Sequence, residues 1–250
     1  MVVAVKAMAC ELPGRLGVPL SRLHVPDIAF EEKAARVLDL YARVWEGKPL
    51  GKRDLVISAD EKTSIQARRR RHPTVPAGPG RAAHIEFEYK RGGALQYLAA
   101  WDIHRAKVFG RCEATTGIVP FCRLADQVMS VEPYASARRV FWVVDNGSSH
   151  RGQTSVERMA ARWPNLHLVH VPVHASWLNQ VEIYFSIVQR KVLTPNDFAN
   201  LSEVEERLLA FERRYEESAT SFEWKFTRKD LAKLMERLAD RHQDPLPIAA

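Results

Sequence analysis

The sequence lacks a long hydrophobic run. No stretch of its 250 residues approaches the roughly 18 consecutive apolar residues that a membrane helix needs. The mildly apolar start, Met1 to Cys10, is short and leads directly into Glu11-Leu12-Pro13-Gly14, which makes it a poor signal peptide. We therefore expect no membrane contact and a cytoplasmic location.

Cysteine is scarce as well. The three cysteines, Cys10, Cys112 and Cys122, show neither metal-ligand spacing nor a paired framework. Reduced thiols in a cytoplasmic protein are the simplest interpretation. Hydrophobic residues make up 46% of the chain and charged residues 27%, a balance that excludes wholesale disorder.

Acidic residues are missing from one long segment. Between Lys62 and Ile85 there is no Asp or Glu, whereas six basic residues occur there: Lys62, Arg68, Arg69, Arg70, Arg71 and Arg81. The formal net charge of the whole chain is +7. Such an excess favours a polyanionic partner, because neutralised phosphates release counterions. A solvated charge run is the alternative interpretation.

Hydrophobic periodicity indicates the order of the secondary structure. Apolar runs predict five main strands, three in succession and then two separated by helices: 55–59, 95–101, 107–112, 140–144 and 166–171. Helical spacing predicts helices at 30–45, 118–131, 153–163, 177–192, 202–218 and 228–241. This order predicts an α/β fold with a mixed five-stranded sheet flanked by helices. Right-handed crossovers would place strands 55–59 and 140–144 side by side at its centre.

Residues 66–93 interrupt this order as an insertion. Its part from Arg68 to Arg81 contains three prolines and two glycines, which predicts an irregular basic arm. His84 to Tyr89 alternates like an edge strand, and Arg91-Gly92-Gly93 predicts a tight turn into the next strand.

Three acidic residues stand at positions that suit catalysis. Asp60 and Asp145 each follow a predicted buried strand, and Glu182 lies on the polar side of a later helix. Phosphodiester cleavage needs an activated nucleophile and a stabilised leaving oxygen, and two Mg²⁺ ions on hard carboxylate oxygens can serve both. Each acid alone also fits a plainer role, a turn or cap for the aspartates and a solvated charge for Glu182.

The sequence around these acids resembles the DDE transposases of the insertion-sequence-630 family, relatives of the mariner transposases in the ribonuclease H-like superfamily. The matching blocks run from Ser58 to Gln66, from Asp145 to His150 and from Pro172 to Glu182. The resemblance implies a ribonuclease H-like fold in which Asp60, Asp145 and Glu182 are catalytic and hold two Mg²⁺ (or Mn²⁺) ions. It also implies metal-dependent cleavage of transposon-end double-stranded DNA and strand transfer, with the protein acting as a homodimer.

The resemblance further implies a domain layout. Family members usually begin with a helix-turn-helix domain, so residues 1–30 are interpreted as its remnant in a truncated chain and residues 31–53 as a linker helix. Residues 54–195 then form the DDE catalytic domain, with the basic arm 66–93, and residues 196–250 form a C-terminal helical extension. A catalytically inactive DNA-binding remnant and another ribonuclease H-like nuclease are the alternative functions.

Several residues near the acids are candidate supporting groups. Asn146 and His150 follow Asp145 and could orient a metal-bound water or a phosphate, or else form a tight turn and a helix cap. Asn179 lies one turn before Glu182 and could contact DNA or the metal surroundings, or satisfy the helix start. The candidate phosphate contacts are Arg68, Arg69, Arg70, Arg71, Arg190 and Lys191.

Overall fold

The computed structural model describes residues 29–147 and 152–243, without the side chains of residues 239–243. The interpretation of residues 1–30 as a domain remnant and the prediction for His150 therefore lie outside the described residues, apart from the last two residues of the first segment. No helix in the described part is long and apolar enough to cross a membrane.

The described residues form six α-helices and seven strands. In order they are α1 (Phe30–Tyr41), β1 (Val44–Trp45), β2 (Lys48–Pro49), β3 (Asp54–Arg70), β4 (Tyr89–Asp102), β5 (Lys107–Glu113), α2 (Ile118–Met129), β6 (Arg139–Val144), α3 (Gln153–Arg162), β7 (Leu166–His170), α4 (Val181–Lys191), α5 (Leu201–Glu216) and α6 (Arg228–Gln243). A short 3₁₀ helix, Ser176–Leu178, precedes α4.

Five of the strands form one mixed sheet in the order β5-β4-β3-β6-β7. Strands β3, β4 and β5 are an antiparallel meander, whereas β6 and β7 run parallel to β3. The predicted mixed five-stranded sheet is confirmed. The two strands that lead to the aspartates, β3 and β6, are neighbours at its centre.

Helices cover both faces of the sheet. Alternate residues of β3 point to opposite faces, so Val56 packs with α1, α4 and α5 while Ile57 packs with α2. The C-terminal helices contribute Val204, Leu208 and Leu231 to the same core as the sheet. Asp60 thus belongs to a central strand of a sheet that is packed between two helical layers.

The prediction that the first strand ends at Asp60 was wrong. Strand β3 continues to Arg70, and Asp60 lies inside it, opposite Ala99 of β4. Because the residues that follow Asp60 are mostly polar, the sequence pattern does not predict a strand there. Pairing with β4 supplies hydrogen-bond partners for their backbone groups. Ile65 and Ala67 are buried and give this half of β3 a core-facing side.

The predicted arm is consequently shorter than residues 66–93. Arg68 to Arg70 belong to β3, and the predicted tight turn Arg91-Gly92-Gly93 lies within β4 instead. The predicted edge strand His84 to Tyr89 was also wrong, because only Tyr89 belongs to a strand. Its alternating apolar residues have no core to face, since Ile85 is 40% and Phe87 is 88% exposed.

Two predicted helices differ at their ends. The first stops at Tyr41, and Val44–Trp45 pairs with Lys48–Pro49 in a hairpin whose Gly47 has a φ of 74°. The helix predicted for 177–192 is split, because Asn179 is extended and separates the 3₁₀ turn from α4.

An ion pair joins the starts of β3 and β6. Asp54 is 1% exposed and accepts hydrogen bonds from the Arg139 guanidinium at 3.0 and 3.1 Å. It also accepts one from the Gly51 N–H at 2.9 Å. The bonds from Arg139 are the main reason that the pKa of Asp54 is lowered.

We expect Asp54→Asn to lower the free energy of unfolding by about 2 kcal/mol at neutral pH, because the charge-assisted pair is lost. The folded-state pKa of Asp54 lies below its ordinary value of 3.8. The contribution of the carboxylate is therefore complete above that value and is lost as the pH falls through the folded-state pKa. Urea unfolding at neutral and acid pH measures this, and an equal difference between the two proteins at both would contradict it.

Candidate active site

The register of the sheet places Asp60 and Asp145 on the same side. Strands β3 and β6 are parallel, with Ser58 opposite Val143, so two residues further along Asp60 comes level with Asp145. Val143 packs in the core layer that contains α4. Because side chains alternate along a strand, Ser58, Asp60 and Asp145 share this face with Val143.

Asp60 is held by hydrogen bonds at the edge of the core. Its residue is 9% exposed. The side-chain amide of Asn179 donates to Asp60 Oδ2 at 3.1 Å and to the Ala59 carbonyl at 3.0 Å. The backbone N–H of Glu61 donates to Asp60 Oδ1 at 2.8 Å. These bonds fix the orientation of the carboxylate.

Ser58 extends this network to the start of α4. Its hydroxyl donates to Asn179 Oδ1 and accepts a hydrogen bond from the Val181 N–H at 2.8 Å. Sequence reasoning missed Ser58. The available signal was a lone hydroxyl in an otherwise apolar strand, two residues before Asp60 and therefore on the same face.

Glu182 is the second residue of α4 and directly follows Val181, whose N–H is bonded to Ser58. Although the residue as a whole is exposed, partial desolvation raises the pKa of its carboxyl, and the charge of Asp145 raises it further. The Lys62 ammonium opposes this rise. Glu182 therefore lies close enough to Asp145 and Lys62 to interact with both electrostatically.

The turn after β6 has its own bonds. Asp145 Oδ1 accepts a hydrogen bond from the Gly147 N–H at 2.7 Å. The Asn146 side chain donates to the Val171 carbonyl at 2.8 Å and so ties the end of β6 to the segment after β7. In the structure Asn146 thus braces the loop that carries Asp145.

The acidic side chains suit a divalent cation chemically. Carboxylate oxygens are the hard ligands that Mg²⁺ prefers, and a cation would relieve the disfavoured charge of Glu182. In residues 29–147 and 152–243 as they stand, no three His, Cys, Asp or Glu side chains are close enough to hold an ion. The Glu182 carboxylate has no hydrogen-bond partner in the described part, so it can rotate towards the aspartates at little cost.

The candidate phosphate contacts differ in how they are engaged. Arg70 donates to the Asn196 and Glu86 carbonyls and pairs with Asp197 at 3.0 Å. Arg71 pairs with Glu88.

The other candidates have fewer internal partners. The Arg68 guanidinium lies 4.9 Å from the centre of the Tyr89 ring, while Arg69 is exposed. Arg190 and Lys191 are exposed at the end of α4.

A cavity of about 300 Å³ begins two residues beyond Asp60. It lies between the second half of β3 and the loop that follows α4, and its polar and basic lining includes Lys62, Gln66, Arg68, Arg70, Gln189 and Asn196. Its basic lining suits a phosphate group.

We expect Asn179→Ala to weaken metal binding about 10- to 100-fold, because Asp60 loses the donor that orients it. The matched control is Asn165→Ala, since Asn165 also donates two amide bonds, to the Tyr134 and Ala137 carbonyls, at 3.0 and 3.1 Å. Both variants should lower the melting temperature. Calorimetric titration with Mn²⁺ separates them, and an equal loss of affinity in both would show that Asn179 is only structural.

Comparison with known proteins agrees with this architecture. Residues 55–205, more than half of the chain, match the DDE superfamily endonuclease family. No curated protein is similar enough in sequence to be matched.

The fold is similar to solved structures of the Mos1 mariner transposase. The paired-end complex with Mn is 16% identical, with a TM-score of 0.53, over 94% of this chain and 68% of that chain. The paired-end complex with Mg is 16% identical, with a TM-score of 0.52, over 88% and 63% of the two chains. The paired-end complex with the left transposon end is 15% identical, with a TM-score of 0.50, over 89% and 64%.

The chain thus spans about two thirds of the length of these transposases. Their similarity shows the ribonuclease H-like fold that the resemblance implies, with a mixed five-stranded sheet flanked by helices. From the family match and the fold together, the chain belongs to the DDE superfamily endonucleases.

Proposed function

We propose that this protein is a transposase related to the insertion-sequence-630 and mariner groups, which cleaves transposon-end DNA and transfers the freed strand to target DNA. The observation that carries the proposal is the placement of Asp60 and Asp145 on one face of the sheet, next to the helix that bears Glu182. The similar Mos1 structures are paired-end complexes, one with a left transposon end and others with Mn or Mg. We extend these partners to this chain.

In this proposal Asp60, Asp145 and Glu182 would hold two Mg²⁺ or Mn²⁺ ions, whose positive charge would favour deprotonation of the attacking water or 3′-hydroxyl and would stabilise the leaving oxygen. Asn179 keeps the Asp60 carboxylate in one orientation. Ser58 accepts a hydrogen bond from the Val181 N–H and so holds the start of α4, from which the Glu182 side chain would turn towards the aspartates. The Lys62 ammonium, which opposes the rise in the pKa of Glu182, offers a positive group to the phosphate that is cleaved.

Residues 54–195 would form the catalytic domain and residues 196–250 its helical extension. The cavity beside Lys62 would accept a phosphate of the bound strand. Two copies of the protein would pair two transposon ends, and the exposed residues Arg69, Arg190 and Lys191 would contact the DNA backbone.

The proposal is tested by incubating purified protein with DNA that carries the inverted repeats flanking the coding frame. We expect nicks in the presence of Mg²⁺ or Mn²⁺ and none after chelation. Salt-sensitive DNA binding without cleavage would contradict a catalytic role. Preferential cleavage of RNA–DNA hybrids or branched DNA would instead assign the chain to another class of ribonuclease H-like nuclease.

A further inference from the structure

Strands β3 and β4 bring like charges face to face at residues that lie beyond Asp60 along β3. In the register of β3 with β4, Arg68 lies opposite Arg91 and Arg69 lies opposite Lys90. Directly opposed residues of an antiparallel pair have Cβ atoms about 5 Å apart, and like charges there are destabilising. The fold therefore contains a repulsive arrangement that a bound anion would relieve. We call residues 66–70 and 89–94 the basic ribbon.

Internal ion pairs neutralise only part of this charge. Arg70 is paired with Asp197 and Arg71 with Glu88. By contrast, Arg69, Lys90 and Arg91 are exposed, and none of them has an acidic partner in the described ranges. These three cations are available to a partner molecule.

Close packing fixes the position of the basic ribbon. A Cβ atom on Gly92 would lie 3.2 Å from Ala67 Cβ and 3.7 Å from the Ala199 carbonyl oxygen. Gly93 has a φ of 98°, and a Cβ atom there would lie 3.0 Å from Leu201 Cδ1. Glycine at these positions lets β4 pack closely against Ala67 of β3 and against Leu201 at the start of α5. The cations are thus presented on a backbone that is already ordered.

We infer that the basic ribbon binds the phosphate backbone of duplex DNA through Arg69, Lys90 and Arg91. This inference rests on the proposed function, which makes DNA the substrate, and it adds two residues of β4 to the DNA-binding surface. Phosphate contacts of this kind give affinity and register without reading the sequence.

The position of the ribbon suits a duplex that extends beyond the cleaved bond. Arg69 lies nine residues after Asp60 on the same strand (69 − 60). At about 3.3 Å per residue this is at most about 30 Å. That upper limit corresponds to about nine base pairs at 3.4 Å each.

The test is the salt dependence of binding to a duplex of about 30 base pairs in the absence of metal. Lys90→Ala and Arg91→Ala should each reduce the slope of log K against log salt by about one, and the double variant by about two. A fourfold rise in salt should then weaken wild-type binding roughly tenfold more than binding by the double variant. Lys229→Ala, on helix α6, is the control of equal charge and should leave the slope unchanged.

A charge reversal separates DNA binding from folding. Lys90→Glu should reduce the slope further while the melting temperature stays the same or rises, because an opposite charge then faces Arg69. Slopes that match the Lys229→Ala control would overturn the inference. So would a shift of the monomer–dimer equilibrium with an unchanged slope, which would make the ribbon a protein interface. Metal-dependent cleavage by the wild type is measured in a separate assay. If cleavage is absent, the proposed function is refuted, whereas the inference about the basic ribbon is judged only by the salt dependence of DNA binding.

Discussion

Asp145→Asn should reduce metal-dependent DNA cleavage by roughly a thousandfold or more. The variant loses a carboxylate that holds the metal ions, and the activation free energy of cleavage therefore rises by several kcal/mol. Asp145 comes level with Asp60 across the central strands, and its charge raises the pKa of Glu182. Replacing one carboxylate oxygen by an amide keeps the shape of the side chain but removes its negative charge. Initial nicking rates with Mn²⁺ measure the effect.

The matched control is Asp126→Asn, which removes an aspartate that pairs with Arg162 between α2 and α3. It should keep wild-type cleavage. Circular dichroism of both variants checks that each remains folded. Cleavage by Asp145→Asn at the wild-type rate would contradict the assignment of the catalytic acids.

Glu182→Gln should abolish cleavage and at the same time make the metal-free protein more stable at neutral pH. The pKa of Glu182 is raised in the folded protein, chiefly by desolvation, so its ionised form opposes folding above that pKa. Neutral glutamine removes this cost. The gain should fade as the pH falls towards the ordinary value of 4.5, where wild-type Glu182 becomes protonated in both states.

Metal should reverse the order of stability. Saturating Mn²⁺ at about a hundred times its dissociation constant adds about 2.7 kcal/mol to a protein that binds it only when folded. We expect this rise for the wild type but not for Glu182→Gln. Glu212→Gln is the control, since burial also raises the pKa of Glu212 but the residue is bound to Gly110 and Tyr97. It should keep the metal-induced rise, and losing it would contradict the site.

Strong apolar patterns were sufficient to predict the sheet. The short, continuous apolar runs before Asp60 and Asp145 are typical of strands that are buried on both faces. Their order along the chain predicts the mixed sheet. The second half of β3 was not predictable in this way. Its residues are polar, and their strand conformation depends on pairing with β4, a tertiary contact that local periodicity does not carry.

The site was predictable only in part for the same reason. Asp60, Asp145 and Glu182 are candidates because of their order after predicted strands and on a predicted helix, and because the sequence around them resembles the insertion-sequence-630 transposases; their catalytic role stays a prediction. Ser58 and the buried position of Asn179 do not, because their roles arise from hydrogen bonds between segments more than a hundred residues apart. The opposed cations Arg69 and Lys90 likewise become visible only once the strand register is known.

The most direct test of the account is the position of Mn²⁺ in a crystal, read from its anomalous scattering. We predict manganese between Asp60 and Asp145, with the Glu182 side chain turned towards it and Asn179 still bonded to Asp60. Manganese bound elsewhere, with Glu182 pointing away from both aspartates, would contradict the central claim that these three carboxylates form one metal-binding site.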